Sequence, residues 1–159
     1  MGPLPPSNGF TYLLTCVDCF TRWLEVIPIA DITAETVANA FVTGWVVRFG
    51  VASVITTDRG GQFQSHLWQQ LARLLGTKRI RTTAYHPIAN GMVERFHRQL
   101  KVALKCQSIP ERWTTSLPMV LLGVRTALKN DLHCSAAELV YGTTLRLPAN
   151  TFRAAEATP

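Results

Sequence analysis

The chain has 159 residues, 47% of them hydrophobic, and carries 16 Lys and Arg against 10 Asp and Glu, for a net charge of +6. That length suits one domain with a real core. A run of about 18 apolar residues is absent, and so is a basic N-terminal segment leading into an apolar stretch; neither a membrane span nor a signal peptide is expected. The positive balance favours a polyanionic partner.

In chain order, residues 1–9 hold three prolines and two glycines and read as a loop. Phe10 to Val17 and Arg22 to Ile29 read as paired strands, with Asp18 to Thr21 as the turn between them. Thr33 is placed to cap a helix running to about Phe49, with Val37, Ala40, Phe41 and Gly44 on its inner side and Gly50 closing it. Val51 to Thr57 is a β-branched apolar run, hence a buried strand. Ser65 caps a further helix with a stripe of Leu67, Leu71, Leu74 and Leu75, ended by Gly76. Lys78 to Thr83 follows as a strand and Ala84 to Asn90 as a loop. Asn90 then reads as the N-cap of a helix that buries Met92, Phe96, Leu100 and Ala103. A helical stretch from Pro110 continues through Trp113, Leu117, Leu121, Val124 and Leu128, with a kink expected at Pro118. Ser135 to Glu138 forms a capping box for a short helix to Tyr141, and the tail from Leu145 is expected to be irregular.

Two stretches carry the chemistry. Asp58 follows the apolar run and precedes Gly60-Gly61, so it belongs at a strand end exposed by a turn, where open α/β sheets place ligands. Glu94 belongs in the first turn of the Asn90-capped helix, where the helix dipole favours a carboxylate. Two acids from distant elements are thus placed to converge.

The motif T-D-R-G-G-Q-F, the 35 residues between Asp58 and Glu94 (94 − 58 − 1), and A-Y-H-P-x-x-N-G-M-V-E-R-F-H-R-Q-L-K resemble the catalytic core of retroviral and retrotransposon integrases, most of all the Ty3/Gypsy type. The resemblance runs from about Gly2 to Leu147, so it implies one core domain over residues 1–147 and an irregular tail over 148–159. It implies a ribonuclease H-like α/β fold, a mixed sheet flanked by helices. The activity implied is polynucleotidyl transfer in DNA integration, with Asp58 and Glu94 as catalytic and metal-binding residues for Mg²⁺ or Mn²⁺. The implied partner is DNA, with a homodimer or higher oligomer and a nuclear, otherwise cytoplasmic, location. Hard divalent cations prefer oxygen ligands, which suits carboxylates.

Charge is concentrated beside this motif. Between Arg73 and Lys105 lie 8 of the 16 basic residues, against Glu94 as the one acid. Arg98, Lys101 and Lys105 follow Glu94 at i+4, i+7 and i+11, on one helix face, and are assigned to DNA together with Asn90. A solvated helix face with a Glu–Arg pair is the alternative reading of that spacing.

The sequence departs from the family pattern in its first acid. In relatives an aspartate stands on a strand just ahead of the segment that here reads Gly2 to Pro6, so the first strand and its aspartate are expected to be missing. Asp18 is read as a hairpin turn residue, against the alternative that it is the third ligand. Ile88 and Ala89 replace polar residues of the family loop, while Cys16-x-x-Cys19 lacks a second pair at zinc spacing. His86 and His97 are read as structural histidines. A non-catalytic remnant or host-adopted derivative that binds DNA is the second hypothesis for the chain.

Overall fold

In the computed structural model, which describes residues 1–81, 87–106 and 109–148 (of 81 and 87–90 only the backbone), the chain begins with an antiparallel ribbon. Strands β1 (Tyr12–Val17) and β2 (Leu24–Ile29) pair from Tyr12 opposite Ile29 to Val17 opposite Leu24. Between them the Asp18 carboxylate accepts from the Thr21 N–H at 3.0 Å and hydroxyl at 2.6 Å, beside the backbone bond from the Arg22 N–H to the Asp18 carbonyl at 2.8 Å.

Thr33 caps α1 (Ala34–Phe41), its hydroxyl accepting from the Thr36 N–H at 3.3 Å. The helix widens into a π-helical turn over Val42–Val46, resumes as α2 (Val47–Phe49) and stops at Gly50, whose φ of 81° favours glycine. Val37, Ala40 and Phe41 face inward as the periodicity predicts. A Cβ at Gly44 would collide with Ile27 of β2, so glycine there permits the close helix–strand approach.

Strand β3 (Val54–Thr57) pairs in parallel with β4 (Lys78–Arg81), Val54 opposite Lys78 and Thr57 opposite Arg81. Their connection is a 3₁₀ turn over Gly61–Gln64 and α3 (His66–Leu75). Ser65 caps α3 and Gly76, in the left-handed region, ends it, both as expected. The stripe matches at Leu71 and Leu75 and fails at the other two positions. Leu67 and Leu74 are exposed, whereas Trp68, Leu71 and Leu75 pack inward, because the bulky indole at Trp68 wins the position against Phe41 and Phe63. The expected buried strand is corrected too: the strand starts only at Val54, Val51 and Val54 are each 48% exposed, and among the described residues β3 pairs on one side alone.

Helix α4 (Pro87–Lys105) starts earlier than the sequence suggests. Pro87 opens it, a position where the missing proline N–H costs no intrahelical bond. Asn90 therefore lies inside the helix and is not its N-cap, and Glu94 sits two turns in, beyond the first turn. Of the expected loop, residues 84–86 lie outside the described residues. Met92, Phe96 and Leu100 are buried as predicted, with Leu104 completing the stripe in place of the half-buried Ala103. They pack on α5 (Trp113–Thr126) through Trp113, Leu117 and Leu121. Leu128, expected in that helix, lies beyond it on a two-residue strand, β5 (Leu128–Lys129), which pairs with β6 (Cys134–Ser135) and is 67% exposed. Ser135 and Glu138 form both halves of the predicted capping box on α6 (Ala136–Tyr141). No described helix is long and apolar enough to cross a membrane.

Beneath β2 the carboxylate of Glu25, 5% exposed, accepts from Arg48 at 2.8 Å, Arg125 at 2.9 Å and the Trp23 indole N–H at 3.0 Å. Arg125 also donates twice to the Leu24 carbonyl and lies 4.3 Å over the Trp23 ring, tying α5 to β2.

Candidate metal and nucleic-acid site

The sheet is split into two ribbons, β1–β2 and β3–β4, with a groove of about 600 Å³ between them. Asp58 stands at the end of β3 and Glu94 on α4, and both line this groove. The Asp58 Oδ1 accepts from the Gly60 N–H at 2.8 Å, and a Cβ at Gly60 would crowd Asp58 and Gln62, so the glycine is what lets the turn fold back on the acid. Further bonds from Gln64 to the Arg59 carbonyl (2.6 Å), from Ser65 to the Gln62 carbonyl (2.9 Å) and from Arg79 to the Phe63 carbonyl hold the turn. It is a fixed platform for one carboxylate.

Glu94, Arg98, Lys101 and Lys105 are all exposed along one side of α4. Lys101 and Asp58 both act on the amino group of Met1, and Lys101, Asp58 and Glu94 all act on the His97 imidazole, which places Lys101 near the two acids. The Asn90 side chain lies outside the described residues, as does His86.

Nothing in the sequence names a partner for His97, and it proves to make a polar contact between α4 and β1. Its Nε2 lies 2.8 Å from the Thr15 hydroxyl. Burial holds its pKa below the ordinary value of 6.5, helped by the nearby amino terminus and Lys101 and opposed by Asp58 and Glu94. A folded-state pKa below the unfolded one means that folding favours the neutral ring. The contribution is present above pH about 6.5 and is lost as pH falls through the lower folded value. Urea unfolding at pH 7.5 and 5.0 should show a drop in stability that is smaller in His97→Gln; an equal drop in both proteins would remove His97 from the account.

The other candidates fall away on geometry. Asp18 also lines the groove, but one of its oxygens is committed to the Thr21 turn, in keeping with its reading as a turn residue. The Cys16 thiol is pushed up to about 12 by burial, with Glu25 adding to the shift, so it is a neutral, buried thiol. Among the described residues no three of His, Cys, Asp and Glu come close enough to hold an ion. Asp58 and Glu94 offer the oxygen donors a hard divalent cation prefers.

Comparison with known proteins agrees with this architecture. Solved structures with the same fold include the magnesium-bound, trimeric integrase catalytic core of HTLV-2 (TM-score 0.66, 20% identity, covering 87% of this chain and 98% of that one). A simian T-cell lymphotropic virus intasome chain matches with a TM-score of 0.71 at 21% identity, over 92% of this chain and 58% of that one. The fold is therefore that of retroviral integrase cores, ribonuclease H-like. In sequence, the chain is 32% identical over 151 residues to the retrovirus-related Pol polyprotein from transposon 412 of Drosophila melanogaster, covering 93% of this chain and 12% of that polyprotein. The family described as "Integrase core domain" matches residues 1–87, and the chain belongs to it.

Proposed function

We propose that the chain is the catalytic-core module of a retroelement integrase, acting on DNA by polynucleotidyl transfer, with Asp58 and Glu94 as its metal-binding carboxylates. The observation that carries this reading is that a strand-end acid and a helix acid line one groove beside a basic helix face. Mg²⁺ or Mn²⁺, when bound, supplies charge neutralisation at the scissile phosphate and activation of a water or 3′-hydroxyl. Asp58 is pre-oriented for that task by the Gly60 N–H. Glu94 faces it from a helix held to β1 through His97, which stays neutral and positions α4. Arg98, Lys101 and Lys105 contact phosphate, with Asn90 on the same helix as a further DNA residue. Assembly into a homodimer or larger complex, and action in the nucleus, follow from that role.

A second reading is a module that binds DNA without cutting it. It is favoured by the short carboxylate set, since no cluster of three potential ligands exists among the described residues. Both readings share the basic face, and salt tests it. Duplex binding should be non-specific and weaken linearly in log salt, and replacing Arg98, Lys101 and Lys105 singly with Gln should lower the slope by about 1 for each phosphate that the side chain no longer neutralises. Fluorescence anisotropy between 50 and 200 mM salt gives the measurement. Slopes unchanged in all three variants would remove the proposed face. Binding of Mn²⁺ read by electron paramagnetic resonance that is lost in both Asp58→Asn and Glu94→Gln separates the first reading from the second; equal binding in the variants leaves the second.

A further inference from the structure

Two glutamines stand in the turn that presents Asp58, and the turn uses them differently. Gln64 spends its amide on the Arg59 carbonyl at 2.6 Å. The Gln62 carboxamide has no hydrogen-bond partner among the described residues, and Gln62 lines the same groove as Asp58. The point where a Cβ on Gly60 would stand lies 2.8 Å from Gln62 Nε2, 2.9 Å from Gln62 Oε1 and 2.9 Å from Asp58 Oδ1. The carboxamide therefore lies over the glycine, next to the carboxylate. Backbone conformation does not call for glycine there, since its φ of −55° is open to any residue. What the position needs is the space that the carboxamide and the carboxylate occupy.

We propose that Gln62 is a phosphate-contacting residue of the site, donating its amide N–H to a non-bridging oxygen of the DNA phosphate brought to Asp58. This rests on the reading of Asp58 as a metal-binding carboxylate of an integrase core, and adds to it the group that holds the phosphate. A phosphate oxygen can only accept, so the protein must supply the donor. Charge decides which donor fits. An arginine this close would pair with Asp58 and compete for it with a cation, while a glutamate would repel the phosphate. A carboxamide is neutral and keeps its two donors at any pH, so it can stand between carboxylate and phosphate without disturbing either charge. Gln62 is half-buried, which restricts its rotamers before DNA arrives and lowers the entropy lost on contact.

The test uses the full chain, fluorescence anisotropy on a duplex in excess Mn²⁺, and the variants Gln62→Ala and Gln64→Ala. Gln62→Ala should bind about tenfold more weakly, the effect of losing one hydrogen bond to a charged acceptor. Its salt slope should match that of the parent, because an uncharged donor releases no counterion, whereas losses at Arg98, Lys101 and Lys105 lower the slope. The loss should be equal on duplexes of unrelated sequence, as for any phosphate contact. Its thermal midpoint should stay at the parent value because no internal bond is lost, while Gln64→Ala should unfold at a lower temperature. Binding equal to the parent's in Gln62→Ala, with the α4 substitutions still lowering the slope, overturns the proposal and leaves the integrase reading in place. Parent binding that ignores salt overturns both. A loss that varies with sequence would make Gln62 a reader of bases, and a midpoint lowered as far as in Gln64→Ala would make it a structural residue; either result also overturns the phosphate contact.

Discussion

Purified alone, the 159-residue chain should give no Mg²⁺-dependent strand transfer above that of its own Asp58→Asn variant. Two-metal catalysis holds its cations about 3.5–4 Å apart and needs fixed oxygen ligands for each. Asp58 and Glu94 line one groove, but no third acid joins them closely enough among the described residues. Catalytic groups that act as a unit lose function together, so a set short of one member is expected to fall by roughly 10³-fold or more. The comparison that decides the role of Asp18 is the unextended chain beside Asp18→Asn. If the first cuts DNA with Mg²⁺ and the second does not, Asp18 is the third ligand and its role in the Thr21 turn is secondary.

The second large effect is on stability. Glu25→Ala should cost about 3–5 kcal/mol, because it leaves the Arg125 guanidinium largely buried without its carboxylate. Arg125 is held below its ordinary pKa by burial, a shift that Glu25 opposes, so the arginine depends on that partner. Arg48 is half exposed and contributes less, since solvent screens it. At roughly 2–4 °C per kcal/mol for a chain of this size, the midpoint should fall by about 6–20 °C. The double variant Glu25→Leu with Arg125→Met should recover much of the loss, because replacing both buried charges removes the uncompensated one. A loss below about 1 kcal/mol in Glu25→Ala would show that water reaches the arginine and that the network is peripheral.

Much of the fold was legible because its signals are local. Thr33, Ser65 and Ser135 cap the helices they were expected to cap, and Gly50, Gly76 and Gly142 end helices through positive φ. The errors arise where local signals compete or where tertiary neighbours decide. Asn90-Gly91 is as good a helix boundary as Pro87 on composition, and the chain uses Pro87, which moves Glu94 away from the helix dipole. Leu67 and Leu74 fit an apolar stripe, yet rotating the helix to bury Trp68 removes more apolar surface from water. The exposure of Val54 depends on what packs over β3, which no window of residues around it encodes. For the site, periodicity placed Asp58 at a strand end, while its pairing with Glu94 rested on the family interval. The His97–Thr15 contact spans 82 residues and had no signal in the sequence.

The division of the sheet also determines what sets the spacing of the two acids. Asp58 rides on β3, which is joined to the rest through α3 and the stacking of Trp68 on Phe41, while Glu94 rides on α4, anchored to β1 through His97, Met92 and Phe96. No ladder of directional bonds runs between these bodies among the described residues, and apolar packing is non-directional. The placement of Asp58 relative to Glu94 therefore depends on the volume of distant aromatic side chains. Trimming Phe41 or Trp68 would alter the geometry at Asp58 without touching either acid.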